Sequence, residues 1–303
     1  MNKNTLIVIV GPTGVGKTDL GIYLAKKLDT EIISADSRQF YKELKIGTAI
    51  PTDDELKMVK HHFIGNKSIH DYYNASSFEF EVIDLLTGLF KKKDQLILLG
   101  GSGMYVDAVC RGIDDLPEID MEIRNQLIDK YEKEGIEGLR FELKKLDPDY
   151  YEIADLRNHK RLLKALEITM MTGLPYSSFR KKVVKQRDFQ IVKIGLNTER
   201  NILYQKIEQR VDKMITDGLV EEARQFYQYK NLNTLNTVGY KELFPYFEGG
   251  YSLERAIELI KRNSRRYAKR QLSWFNRDKE INWFKPDEKG KIFNFVQENS
   301  PLR

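Results

Sequence analysis

Cysteine is nearly absent from this chain: Cys110 is the single one in 303 residues. One thiol excludes an internal disulfide and any zinc site built on cysteines, and Cys110 itself reads as a small buried hydrophobe. No apolar run approaches the roughly 20 residues that a membrane span requires. The chain enters an apolar strand pattern at Leu6, which leaves no room for a secretory leader, so a cytoplasmic location off the membrane is expected. Internal repeats and low-complexity tracts are missing as well. So is any large excess of one charge, since 50 Lys and Arg stand against 45 Asp and Glu for a net of +5. The placement of that charge is uneven. Between Lys261 and Lys279 there are eight basic residues and one acid, Asp278, for a local charge of +7, so the remainder carries −2. A charge concentrated in one short segment points to a polyanionic partner.

What is present begins with Gly11–Thr18, GPTGVGKT, directly after the apolar run Leu6–Val10. Gly, four residues, then Gly-Lys-Thr between a strand and a helix is the phosphate-binding loop pattern. Its residues Gly11, Pro12, Thr13, Gly14, Val15, Gly16, Lys17 and Thr18 are expected to hold a di- or triphosphate. Backbone N–H groups and the start of a helix face the phosphate oxygens. Lys17 adds a point charge, and the Thr18 hydroxyl is placed for a magnesium ion. Taken alone, the loop points to ATP.

The alternation of apolar runs and amphipathic stretches over the first 115 residues predicts a parallel α/β sheet flanked by helices. Leu6–Val10, Glu31–Ala35 and Gln95–Leu99 are its expected strands, with ligands at their carboxyl ends. From residue 116 to 188 the texture changes to charged amphipathic helices, Met121–Lys133, Ile136–Leu146 and His159–Met171, broken at Gly135 and Asp147-Pro148. Gln190–Leu196 reads as a strand returning to the sheet. The expected organisation is therefore a P-loop NTPase-like core, 1–115 and 189–303 with C-terminal helices, interrupted by an all-helical insertion at 116–188.

An ATPase of this loop class needs an acid at the end of a second apolar strand to hold magnesium. Here Leu96–Leu99 runs into Gly100-Gly101-Ser102-Gly103 with no carboxylate. The nearest candidate is Asp36, in Ala35-Asp36-Ser37-Arg38-Gln39-Phe40-Tyr41, about twenty residues past the loop. An acid there can contact a ribose, hold a metal or act as general base; a helix cap is the structural alternative. Position alone leaves both open. His61-His62 lacks a third ligand for a metal and reads as structural or as lining a channel.

The motifs GPTGVGKT, ADSRQFY, GTAIPT (Gly47–Thr52), His61-His62, GGSGMY (Gly100–Tyr105) and AKRQLSWF (Ala268–Phe275) occur in this order. In that order, and over residues 5 to about 284, the chain resembles bacterial tRNA dimethylallyltransferases. The resemblance implies transfer of a dimethylallyl group from its diphosphate to N6 of the tRNA adenosine on the 3′ side of the anticodon, position 37. It also implies tRNAs reading codons that begin with U, a magnesium requirement and a monomer.

Under that resemblance Asp36 takes the N6 proton, Thr13 meets the bridging oxygen, and Lys17 and Arg210 face the diphosphate. Without it, Arg210 reads as an ordinary ion pair on an exposed helix. The implied contacts to the tRNA anticodon stem-loop are Asp36, Ser37, Arg38, Gln39, Ser102, Arg124, Lys160, Arg161, Lys164, Gly239, Tyr240, Lys241, Lys269, Arg270, Trp274 and Arg277. Arg262, Arg265 and Arg266 extend the basic face, and the run Arg180–Arg187 adds further cations. Basic residues interleaved with aromatics suit a phosphate track with stacking surfaces, although Trp274 fits a core position equally well. Ser102, Lys164 and Asn276 stand where the family often has threonine, arginine and a basic residue. Two other readings use the same loop: a nucleotide or small-molecule kinase, and an ATP-switched RNA-binding module.

Overall fold

The computed structural model describes residues 4–114, 116–117, 120–180 and 184–300. Six strands form one sheet: β1 (Thr5–Val10), β2 (Ile32–Ser34), β3 (His61–His62), β4 (Gln95–Gly100), β5 (Gln190–Leu196) and β6 (Asn282–Phe284). Their order is β3-β2-β4-β1-β5-β6, and every pairing is parallel. β1 lies inside the sheet because Leu6–Val10 are all apolar, so both faces can be buried. Leu6, Val8 and Val10 enter one apolar layer with Phe78 and Val82. Ile7 and Ile9 enter the opposite layer with Leu20 and Leu24. Each such side chain contributes about 1.5–3 kcal/mol of burial.

The register fixes where the site can be. Val10 is level with Gly100 of β4 and with Gly195 of β5, so the loop after β1 emerges between two small strand ends. β5 returns beside β1 as the sequence pattern requires. β3 and β6 went without an expectation because two or three residues carry no readable alternation. Both occupy sheet edges, and β3 is built from the histidine pair.

A third apolar cluster joins the helices that follow β5. It includes Leu219, Leu243 and Phe244 with Ile260 of the long helix Leu253–Phe275. Ser252 caps that helix by accepting from Arg255 N.

Contacts divide the chain into Met1–Arg111 with Gln186–Arg303, and Gly112–Lys185. The second unit is helical. Met121–Leu146 forms one span whose Gly135 departs from helical geometry at φ 69° and ψ −164°. The buried Asp147 then caps Pro148–Ile153, accepting from Tyr150 N at 3.0 Å. Its two carboxylate oxygens also accept from Ser177, at 2.8 Å from the hydroxyl and 2.7 Å from the backbone N–H. Leu127, Leu139 and Leu143 meet Leu162 and Leu166 of His159–Thr172 to form the core of this unit.

Candidate active site

The loop after β1 takes its shape from glycine. Gly11 has φ 150°, and a side chain on it would meet the Leu196 carbonyl oxygen at 2.5 Å. Gly16, at φ 104°, turns the chain into the helix Lys17–Lys27. Lys17 points back into this loop, donating to the Gly11 and Pro12 carbonyls at 3.0 and 2.9 Å. Burial lowers its pKa to about 8, with the nearby Arg210 adding to the effect and Asp36 opposing it.

Two cavities meet at this loop. The first, about 240 Å³, is lined by Gly14, Gly16, Lys17, Thr18 and Asp19 from the loop side. The second, about 250 Å³, opens towards Ser37, Arg38, Thr48, Gly239, Lys241 and Tyr267. Thr13, Asp36 and Arg210 line both. A hydroxyl, a carboxylate and a guanidinium therefore stand where a phosphate compound in one cavity would meet a second reactant in the other.

Each of the three is held. Thr13 N–H donates to Gln271 Oε1 at 2.8 Å. Asp36 follows β2 and Ala35, and its Oδ1 accepts from Arg38 N at 3.0 Å in a local turn. The segment after Asp36 is a turn and no helix starts there, so the helix-cap alternative does not hold, and that single bond leaves lone pairs of the carboxylate available. Arg210 donates to the Thr48 carbonyl at 3.4 Å. Burial holds its pKa below the usual arginine value, and Asp36 opposes that shift. Among the described residues it makes no ion pair, contrary to the reading of an exposed helix-face pair.

Residues 39–278 match the family described as IPP transferase. The chain belongs to that family. It is 52% identical to tRNA dimethylallyltransferase 1 of Bacteroides fragilis, over 98% of this chain and 99% of that relative. It is 53% identical to the protein of the same name from Bacteroides thetaiotaomicron, over 97% and 95%. The fold superposes on a crystal structure of full-length tRNA isopentenylpyrophosphate transferase from Bacillus halodurans with a TM-score of 0.72 at 36% identity, covering 98% of this chain and 97% of that one. A eukaryotic dimethylallyltransferase acting on tRNA gives 0.75 at 26% identity, with 98% and 76% covered.

The residues expected to touch tRNA fare unequally in this IPP transferase. Ser37, Arg38, Gly239, Lys241 and Arg270 line the second cavity with Asp36. Ser102 Oγ accepts from Ser37 N at 2.9 Å and so shapes its wall. Arg38 donates to the Asn233 and Thr234 carbonyls. Gln39 lines the loop-side cavity instead, with its amide nitrogen on the Thr48 and Ala49 carbonyls. Lys160, Arg161, Lys269 and Arg277 are exposed. Trp274 is 38% exposed, which excludes the core position. Its indole N–H donates to Asp107 at 2.9 Å, and Arg277 stands 5.5 Å above its ring.

Several of the remaining residues have partners within the protein. Tyr240 is wholly buried, its hydroxyl on Glu222 at 2.6 Å, so its side chain is a core anchor and no RNA contact. Arg124 pairs with the buried Glu167 at 2.9 Å, and Lys164 lies half-buried beside the same carboxylate. Both offset the charge of a buried acid. Arg265 pairs with Glu208. Arg187, at the end of the basic run, is bound to Glu79 at 2.7 Å and to the Ala108 and Val109 carbonyls; Lys181 and Lys182 of that run lie outside the described residues. His61 and His62 line neither cavity and fit the structural alternative: His61 Nδ1 bonds the Val59 carbonyl, and His62 pairs with Glu31 at 2.6 Å.

Motif reading passed over Gln271, Tyr267 and Glu222. The signal for the first two was available, since Tyr267 and Gln271 are four apart on one face of the basic helix. Their neighbours Lys269 and Arg270 drew the attention.

Proposed function

We propose that the chain transfers the dimethylallyl group of dimethylallyl diphosphate to N6 of adenosine 37 in tRNA, releasing pyrophosphate. The observation that carries this reading is the shared position of Thr13, Asp36 and Arg210 between a phosphate-loop cavity and a second cleft. The bond between the allylic carbon and the bridging oxygen breaks, and that oxygen keeps the electron pair. N6 bonds the carbon and loses a proton to the Asp36 carboxylate. Adenine N6 is a weak nucleophile because its lone pair is delocalised, so a base at this point is needed. Lys17, Arg210, the Thr13 hydroxyl and loop N–H groups stabilise the charge that grows on the leaving group. Preorganised donors of this kind are the main source of rate enhancement when charge develops on one oxygen.

A magnesium ion fits the same cavity, where the Thr18 hydroxyl and the Asp19 carboxylate offer hard oxygen donors beside the phosphate loop. Thr18 would hold it, and the ion would supply charge to the leaving pyrophosphate. Both cavities draw their residues from one compact unit, which supports a monomer as the working form. The exposed Lys269, Arg270 and Arg277, with Lys160 and Arg161 of the helical insertion, supply contacts to RNA phosphates. A tRNA substrate supports a cytoplasmic site of action.

Incubation with unmodified tRNA, magnesium and labelled dimethylallyl diphosphate tests the reading. Label in the RNA is expected. ATP hydrolysis or phosphoryl transfer without RNA labelling would favour a kinase and sink the proposal.

A further inference from the structure

Gln271 is a buried amide with both of its polar atoms engaged across long stretches of chain. Its Oε1 accepts from the Thr13 backbone N–H at 2.8 Å, and its Nε2 donates to the Gly101 carbonyl at 2.9 Å. The two partners fix which end of the amide is which, because an N–H needs the oxygen and a carbonyl needs the nitrogen. The neighbouring turn is built around it: a side chain at Gly101 would come within 2.2 Å of Nε2.

The position of Gln271 in the chain gives this bridge its meaning. It belongs to Leu253–Phe275, whose exposed face carries Arg262, Arg266, Lys269 and Arg270. One turn earlier, Tyr267 lines the cleft with Asp36 and Arg270. One helix therefore presents cations outward while its inner face touches the loop residue that meets the leaving group.

We propose that Gln271 is a positioning residue. Through Thr13 it sets the catalytic side of the phosphate loop from the RNA-facing helix. This rests on the prenyl-transfer reading above and adds to it a mechanical link between the two substrates. The link acts on the Thr13 backbone, so its effect is on the placement of the Thr13 hydroxyl, and not on any contact of Gln271 with RNA.

The test compares wild type with Gln271→Met, which keeps the volume and removes both hydrogen bonds, and with Gln271→Glu, which keeps an acceptor for Thr13 N–H. Single-turnover label transfer at saturating RNA and donor is expected to fall about 10- to 100-fold in Gln271→Met, the scale of a small misplacement of a reacting group. RNA affinity by filter binding should stay within about threefold, since the link acts through the Thr13 backbone and not through a contact of Gln271 with RNA. Gln271→Glu should recover part of the rate. In a Thr13→Ala background, Gln271→Met should add little, because the two residues act as one unit.

An unchanged transfer rate, a loss confined to RNA affinity, or a full repeat of the loss in the Thr13→Ala background would each overturn the proposal. Gly101→Ala reaches the same amide from outside the helix and must reproduce the rate defect, which covers the case of a misfolded Gln271→Met. Calorimetry with inorganic pyrophosphate separates the two readings. If wild type labels no RNA, the transfer reaction falls. The link then stands only if Gln271→Met weakens pyrophosphate binding, by about tenfold for the loss of a loop-ordering hydrogen bond, and unchanged binding removes it.

Discussion

The Tyr240 hydroxyl donates to Glu222 Oε1 at 2.6 Å, and both side chains are buried. The same carboxylate accepts the backbone N–H groups of Lys45, Ile46 and Gly47 at 3.0, 2.9 and 3.0 Å. Four donors on one carboxylate shape the turn that leads to Thr48, whose carbonyl receives Gln39 and Arg210. Burial, then the Glu222 charge, pushes the Tyr240 phenol far above its ordinary pKa, so it remains a donor throughout the working pH range. Tyr240→Phe is expected to lose about 1–3 kcal/mol, the loss for a buried hydrogen bond to a charged group. Glu222→Ala should lose more, because three backbone N–H groups would be left unpaired. Urea denaturation gives both values, and a Tyr240→Phe variant as stable as wild type would rule out this anchoring role.

Asp36→Ala is expected to cut label transfer by about two to four orders of magnitude, the usual contribution of a positioned base. RNA binding should be nearly intact, since the carboxylate adds no positive charge to the phosphate track. Asp36→Asn separates geometry from basicity, for the amide keeps an acceptor for Arg38 N–H while losing the proton sink. Single-turnover transfer and filter binding on the same samples decide it. Near-wild-type transfer in either variant would remove Asp36 from the mechanism.

Lys17 gives the pH dependence. Its pKa of about 8 in the fold lies below the ordinary 10.5, with burial as the main cause. The protein alone therefore carries this charge well below pH 8 and loses it as the pH rises through about 8. Pyrophosphate affinity should fall as pH rises through about 8, and binding above that pH should take up a proton as the anion restores the ammonium. Calorimetry in two buffers of different ionisation enthalpy measures that proton, and its release instead of uptake would contradict the assignment. The unfolded chain holds the proton that the folded one lacks between pH 8 and 10.5. The Lys17 contribution to folding stability thus rises with pH across that window.

Much of the fold and the site is legible in the residues alone. β1, the phosphate loop and the strand return at β5 follow from apolar runs and glycine spacing, which are local properties. Thr13, Lys17 and Asp36 come together at the ends of these strands, while Arg210 was placed with them only by the family resemblance. What escaped was relational. Nothing in the sequence says that Gln271 reaches Thr13, 258 positions away, or that Tyr240 points inward to Glu222. Arg124 reads as an exposed cation because charge patterns do not reveal its pairing with Glu167 on the adjoining helix, and Lys164 because they do not show that Glu167, three positions on in its own helix, is buried. The edge strands β3 and β6 were too short to announce themselves.

The basic helix divides its charges, and that division can be measured. Lys261 pairs with Asp212 at 2.6 Å and Arg265 with Glu208, so these two cations are neutralised within the protein. Lys269 and Arg270 are exposed, and Arg270 stands 5.7 Å from the Tyr267 ring. A cation that neutralises an RNA phosphate releases a counterion and steepens the fall of affinity with salt. Lys269→Ala and Arg270→Ala should therefore each weaken RNA binding and reduce the slope of log affinity against log salt by about 0.7–1. Arg265→Ala should leave the slope near the wild-type value, because its charge is already matched by Glu208. Filter binding from low to moderate salt provides the slopes. A flat salt response in wild type would refute the phosphate track, and equal slopes in all three variants would refute the division between paired and exposed cations.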